Sequence, residues 1–268
     1  MTSLKWFLIA LGFLKSTFET NPVRGRIPNP LPAEYGLFAT MMVNSNDFRD
    51  ELVMKQHQDS SVAIASSSPL SSIAEAFEEL VKLLMKRKTE QEELPLDTFC
   101  HACSHVSFLF NSLGLAFKFA ELEYVAKLRG LLEASKTCGT LLDILDIDIA
   151  TDTVKTSGSY SRNLRRVRQG LDLIRAIFEQ FLSTDDSSLK EVASTAYAQS
   201  CAPYHSWAVR TAVYAGMYTL PTRDQLLMKL NETDQSAEKK MKRYIDASLP
   251  VIEYIDELYL SRNIVLDW

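Results

Sequence analysis

Residues 161–181 read SRNLRRVRQGLDLIRAIFEQF, with Leu164, Val167, Leu171, Ile174, Phe178 and Phe181 three or four positions apart. That spacing brings the apolar side chains onto one face of an α-helix and is foreign to the two-residue repeat of a strand. The stretch predicts a helix packed on its neighbours through a single stripe. Its charge is unusual. From Thr153 to Leu171 there is no Asp or Glu, yet Lys155, Arg162, Arg165, Arg166 and Arg168 all fall there.

Arg162 and Arg166 stand four residues apart, so on a helix they are neighbours and repel one another. An anion bound between them would remove the repulsion and gain charge-assisted hydrogen bonds from two planar guanidinium groups. A solvated polar face accounts for the same spacing, and pattern alone leaves both readings open. Glu123 and Lys127 make a second pair four apart, in the order that stabilises a helix, and read as an ordinary surface pair. His205, close before Trp207, reads as a semi-buried histidine with a satisfied ring.

The helical period extends in both directions. Ile73, Phe77, Leu80, Val81 and Leu84 form one stripe that Ser71 or Ser72 can cap, with Glu75 in capping-box spacing after Ser72. Pro95 opens a helix carrying Phe99, Cys103, Val106, Phe110 and Leu113, and a third stripe runs through Leu131, Ala134, Cys138, Leu141, Leu142, Leu145 and Ile149. Residues 207–220 are apolar on most sides, which predicts a central helix. Leu226, Leu227 and Leu230 follow Pro221, and Ile245, Leu249, Ile252, Ile255 and Leu258 mark a last helix kinked or begun at Pro250. Only 9 Gly and 9 Pro occur in 268 residues, and no convincing alternating stretch is present. The fold class is therefore all-α: a single domain of about eight helices over residues 71–268, preceded by an extension over residues 1–70.

That extension has a different composition. Residues 6–14, WFLIALGFL, are apolar and flanked by Lys5 and Lys15, but they are too few to span a bilayer, which takes about 20 residues. Four prolines between Asn21 and Pro32 and the run Ser66-Ser67-Ser68-Pro69 have linker composition. A loosely attached tail, a targeting or tethering segment, and a misassigned start all fit.

The net charge of −5 argues against a general nucleic-acid binder, which needs an excess of Lys and Arg. Cys100 and Cys103 with His101 and His105 nearby invite a zinc site, but no second pair lies at suitable spacing. Buried helix cysteines in a reduced, cytosolic protein are expected instead. No nucleophile–base arrangement, phosphate-cradling glycine loop or catalytic carboxylate pair can be argued from spacing, so an enzyme is not expected.

Several separated segments resemble, in the same order, the glycolipid transfer protein superfamily. They are GLAFKFAELEYVAK at 114–127, SRNLRRVR at 161–168, APYHSWAVR at 202–210, GMYTLPT at 216–222 and the closing Asp267-Trp268. The likeness runs from about residue 72 onward and leaves out residues 1–70. It implies a two-layer all-α fold with lipid chains inserted between the layers and a headgroup held at the surface, no cofactor, and peripheral contact of a monomer with membranes. It further implies a phosphosphingolipid ligand, ceramide-1-phosphate, and intermembrane transfer by a cytosolic protein of the family's plant branch associated with cell death. A lipid sensor in such signalling is the alternative. Carried over by motif, Arg162, Arg166 and Lys127 correspond to the phosphate-binding residues, and Glu123 and His205 to those that fix the ceramide amide. Trp207 corresponds to a tryptophan of the membrane-contact surface. The glycolipid-carrying branch has leucine and tryptophan where Arg162 and Arg166 stand. Glu123 departs from the family's usual aspartate, lengthening that carboxylate by one methylene.

Overall fold

The computed structural model describes residues 68–90, 93–184 and 188–268. The readings made for residues 1–67 lie outside the described residues. Among the described residues there are nine α-helices: α1 (Pro69–Glu90), α2 (Leu96–Ser112), α3 (Leu115–Ala134), α4 (Leu141–Ala150), α5 (Tyr160–Ser183), α6 (Leu189–Ser200), α7 (Trp207–Gly216), α8 (Arg223–Leu230) and α9 (Asp234–Leu260). Two short 3-10 turns, Ala202–Tyr204 and Met217–Thr219, flank α7.

The helices form two layers because each long helix has one apolar face to cover. Helix α5 packs on α3, α6 and α9; α9 also runs along α1, and α2 lies against α1 and α3. The stripe that predicted α5 is inside: Leu164, Val167, Leu171, Ile174, Phe178 and Phe181 all belong to one contiguous core. Phe77 and Phe178 meet the edge of Tyr244 from α9 at 5.0 and 5.5 Å, tying three helices together.

Four sequence expectations are corrected. The first helix begins at Pro69, with Ser68 rather than Ser71 or Ser72 at its cap: the Ser71 N–H donates to Ser68 Oγ at 3.4 Å. Proline is favoured at that first position because its φ is preset and its missing N–H would be unpaired there anyway. The third stripe is two helices. Helix α3 ends at Ala134, and α4 restarts at Leu141 through a capping box in which Thr140 and Asp143 exchange side-chain-to-backbone bonds. Of the two readings of Pro250, a helix beginning there is overturned, since α9 runs from a Thr233–Ser236 capping box through the proline to Leu260. Buried Val251, Ile252 and Ile255 pack just beyond the proline and hold the helix across the missing hydrogen bond.

The fourth correction concerns α7. It is not central: Ala212 is its only buried residue, and Trp207 is 74 % exposed. Apolar content on all sides has two solutions, a buried helix or one at an apolar surface, and the pattern cannot tell them apart.

Candidate functional site

The N-terminus of α5 is fixed from three directions. Ser159 Oγ accepts the Arg162 N–H at 3.2 Å, and buried Asp148 from α4 accepts the Ser161 N–H at 2.6 Å. Tyr259 of α9 donates its hydroxyl proton to the Ser161 carbonyl. Arg162 and Arg166 thus project from a helix end held by three hydrogen bonds.

Helix α3 comes close enough to face them because of two glycines. A Cβ at Gly170 of α5 would lie 2.7 Å from the Tyr124 ring, and one at Gly130 of α3 would lie 2.6 Å from the Asn163 amide. Each helix therefore yields to a side chain of the other. This approach brings Glu123 of α3 near enough for its charge to act on both Arg166 and His205.

The basic run divides by partner. Arg165 is 2 % exposed, lies 3.5 Å from Asp256, donates to the Leu266 carbonyl and rests over the Tyr204 ring. Arg168 grips Asp256 and Asp172. Lys155 meets Asp267 at 3.2 Å. Arg162 and Arg166 have no carboxylate in salt-bridge contact among the described residues. Arg162 donates to the Lys155 carbonyl at 2.9 Å with its guanidinium 5.9 Å from the Trp268 ring, and Arg166 donates to Gln169. Burial, with Arg162 and Arg165 nearby, holds the Arg166 guanidinium below the ordinary arginine range. Within the basic run, the two residues of the open spacing argument are thus the two without a salt-bridged carboxylate among the described residues.

Lys127 and Glu123 pair at 3.2 Å, Lys127 the more covered of the two. His205 sits on extended backbone between the Ala202–Tyr204 turn and α7, and its Nδ1 lies 2.8 Å from the Tyr197 hydroxyl. Burial first, then Arg166, pushes the imidazole down to about 4, with Glu123 opposing. Trp207 is the first residue of α7 and stands exposed beside this cluster, with Tyr214 and Tyr218 exposed on the same segment. The arrangement offers cationic donors, one carboxylate acceptor and a neutral imidazole at the edge of an apolar surface. It suits holding a phosphate-bearing amphiphile.

Residues 94–232 match the Glycolipid transfer protein (GLTP) family. The ACD11 homolog protein of Arabidopsis thaliana is 67 % identical over 205 residues, spanning 75 % of this chain and 90 % of that protein. The chain belongs to the glycolipid transfer protein family. Accelerated cell death 11 of Arabidopsis thaliana is 45 % identical over 204 residues, 76 % of this chain and 98 % of its own. A crystal structure of a mutant of Arabidopsis ACD11 complexed with C12 ceramide-1-phosphate superimposes with a TM-score of 0.72 at 46 % identity, covering 76 % of this chain and 100 % of that one. The glycolipid transfer protein fold accounts for the two-layer helix arrangement expected from the motifs.

Sequence reasoning missed Gln169, Tyr197, Asp148 and the paired glycines. Gly170 comes two residues after Arg168 and Ser159 three before Arg162, so a close approach and a cap were within reach of pattern. Gln169, Tyr197 and Asp148 carry no such signal. The four cysteines are all buried, Cys100 and Cys103 on the inner face of α2 while His101 points outward, and burial raises the Cys103 thiol well above its ordinary range.

Proposed function

We propose that this chain lifts ceramide-1-phosphate out of one membrane and delivers it to another, as a monomeric cytosolic carrier that leaves the lipid chemically unchanged. The observation that carries this reading is the Arg162–Arg166 pair: two guanidinium groups on successive turns of α5, without a salt-bridged carboxylate among the described residues. The crystal complex of the Arabidopsis ACD11 mutant with C12 ceramide-1-phosphate supports the same headgroup.

In this reading Arg162, Arg166 and Lys127 hold the phosphate. Lys127 turns from Glu123 to the phosphate, and the freed Glu123 carboxylate accepts the ceramide amide N–H. His205 donates to the amide carbonyl. The lipid chains insert between the helix layers, where burial offsets the loss of about 0.8 kcal/mol per methylene that water contact would cost. No helix among the described residues is long and apolar enough to cross a membrane. Exposed Trp207 and Tyr218 supply an amphipathic rim suited to the bilayer interface.

Vesicle-to-vesicle transfer of fluorescent ceramide-1-phosphate tests the proposal, with a neutral glycosphingolipid and phosphatidic acid as comparisons. Selective movement of ceramide-1-phosphate is expected. Equal transfer of phosphatidic acid would show that phosphate is read but the sphingoid amide is not, and absence of transfer would overturn the carrier reading.

A further inference from the structure

Arg166 differs from Arg165 and Arg168 in what holds it. Those two rest on Asp256 and Asp172, whereas Arg166 Nη1 donates to the Gln169 side-chain oxygen at 2.5 Å. Gln169 is 4 % exposed, and its Nε2 is buried with no hydrogen-bond partner. A buried amide with one end unpaired costs free energy that an apolar side chain of the same volume would not. A glutamate here would reach the same guanidinium from the same turn and bind it more strongly. It would also cancel the charge. The amide instead uses one of the five guanidinium donors and leaves the others, with the whole charge, for an anion.

We propose that Gln169 is the positioning residue of the phosphate site: its neutral hydrogen bond orients Arg166 without neutralising it, which reserves that charge for a phosphate headgroup. The assignment rests on the ceramide-1-phosphate reading above. Its chemistry is confined to a charge-preserving hydrogen bond one turn along α5, so it separates positioning from simple packing. Packing is served equally by any side chain of that volume, charge reservation only by an uncharged acceptor.

The test compares Gln169→Glu and Gln169→Met with the unaltered chain. Both replacements are close to glutamine in volume. Transfer of fluorescent ceramide-1-phosphate between vesicles is measured beside melting temperature and helical circular dichroism. Gln169→Glu should stay folded and lose transfer by about tenfold or more, because an internal ion pair competes with the phosphate. Gln169→Met should lose only about two- to fivefold, since the guanidinium keeps its charge but not its orientation. The salt dependence of vesicle transfer should flatten in Gln169→Glu and persist in Gln169→Met, a readout that packing does not move. Transfer by Gln169→Glu within twofold of the unaltered chain, or equal losses in both variants with the same salt dependence, overturns the assignment. If Gln169→Glu does not fold, unaltered transfer by Gln169→Met overturns it by itself, and a two- to fivefold loss supports it. Failure of the unaltered chain to transfer sinks the carrier reading instead, which keeps the two claims apart.

Discussion

The Tyr197 hydroxyl lies 2.8 Å from Nδ1 of His205, and the same tyrosine ring meets Tyr214 of α7 edge-on at 5.5 Å. One side chain thus links the exposed aromatic rim to the histidine of the headgroup cluster. Burial pushes the Tyr197 phenol above its ordinary range and the His205 imidazole down to about 4, so at neutral pH a phenol faces a neutral ring. A tyrosine that donates to Nδ1 leaves the ring proton on Nε2, free to donate toward a bound carbonyl. Tyr197→Phe should leave the fold intact, lower ceramide-1-phosphate transfer about three- to tenfold, the range of one net hydrogen bond, and change the His205 tautomer seen by 15N NMR. An unchanged tautomer with unchanged transfer would reject the link.

Arg162 occupies the third position of α5, where the helix macrodipole disfavours a cation, and faces Arg166 one turn away. Its exposed bond to the Lys155 carbonyl and its place over the Trp268 ring oppose this, leaving a small net contribution to folding. Arg162→Leu should cost about 10- to 100-fold in phosphate-lipid transfer, the range of one charge-assisted hydrogen bond, while the melting temperature stays level or rises. A large drop in melting temperature would recast the arginine as structural.

Gly170→Ala should destabilise by about 1–3 kcal/mol, the usual cost of overpacking a core, in a denaturant titration. The added methyl would meet Tyr124 at 2.7 Å, and that ring is buried and tied by its hydroxyl to the Cys103 carbonyl at 2.9 Å. Transfer should fall with stability, because the same contact sets α3 beside α5. A neutral outcome would mean that the helices approach with slack.

Stability should decline from pH 6.5 toward pH 4. His205 is pushed down to about 4 by burial and Arg166, and His105 likewise by burial and His101. A free histidine titrates near 6.5, so below that pH the unfolded chain binds protons that the native state refuses. The stability from keeping these rings neutral is complete above about pH 6.5 and is lost as pH falls through that window. Glu78, held low by Arg243, and Glu232, held low by Lys240 despite burial, add their losses at the acid end, as pH falls below the usual carboxylate range. Melting temperature across pH 4–7.5 checks this, and His205→Gln should flatten the upper part of the slope.

Trp207→Ala should leave stability within about 0.5 kcal/mol, since exposed positions seldom matter to folding, yet weaken vesicle association in a flotation assay. Equal association would move the docking surface elsewhere.

The six apolar residues of 164–181 determined by themselves that a helix stands there and which face it hides, because a period of three to four allows no other burial. The same holds for α1, α2 and α8, while the arginine spacing fixed a repulsion and left open whether an anion or solvent relieves it. Neither pattern could say which arginines stay free. Asp256 lies 88 residues from Arg168, and only the packing of α9 against α5 spends that carboxylate on Arg165 and Arg168 and leaves Arg162 and Arg166 without one. Helix α7 is peripheral rather than central for a related reason: apolar content measures a side chain's dislike of water, while its position depends on which neighbours pack against it. Gly130 and Gly170 make the point most sharply. A glycine's meaning is the side chain that approaches it, and Asn163 and Tyr124 approach from the opposite helix, a relation that exists only once the chain has folded.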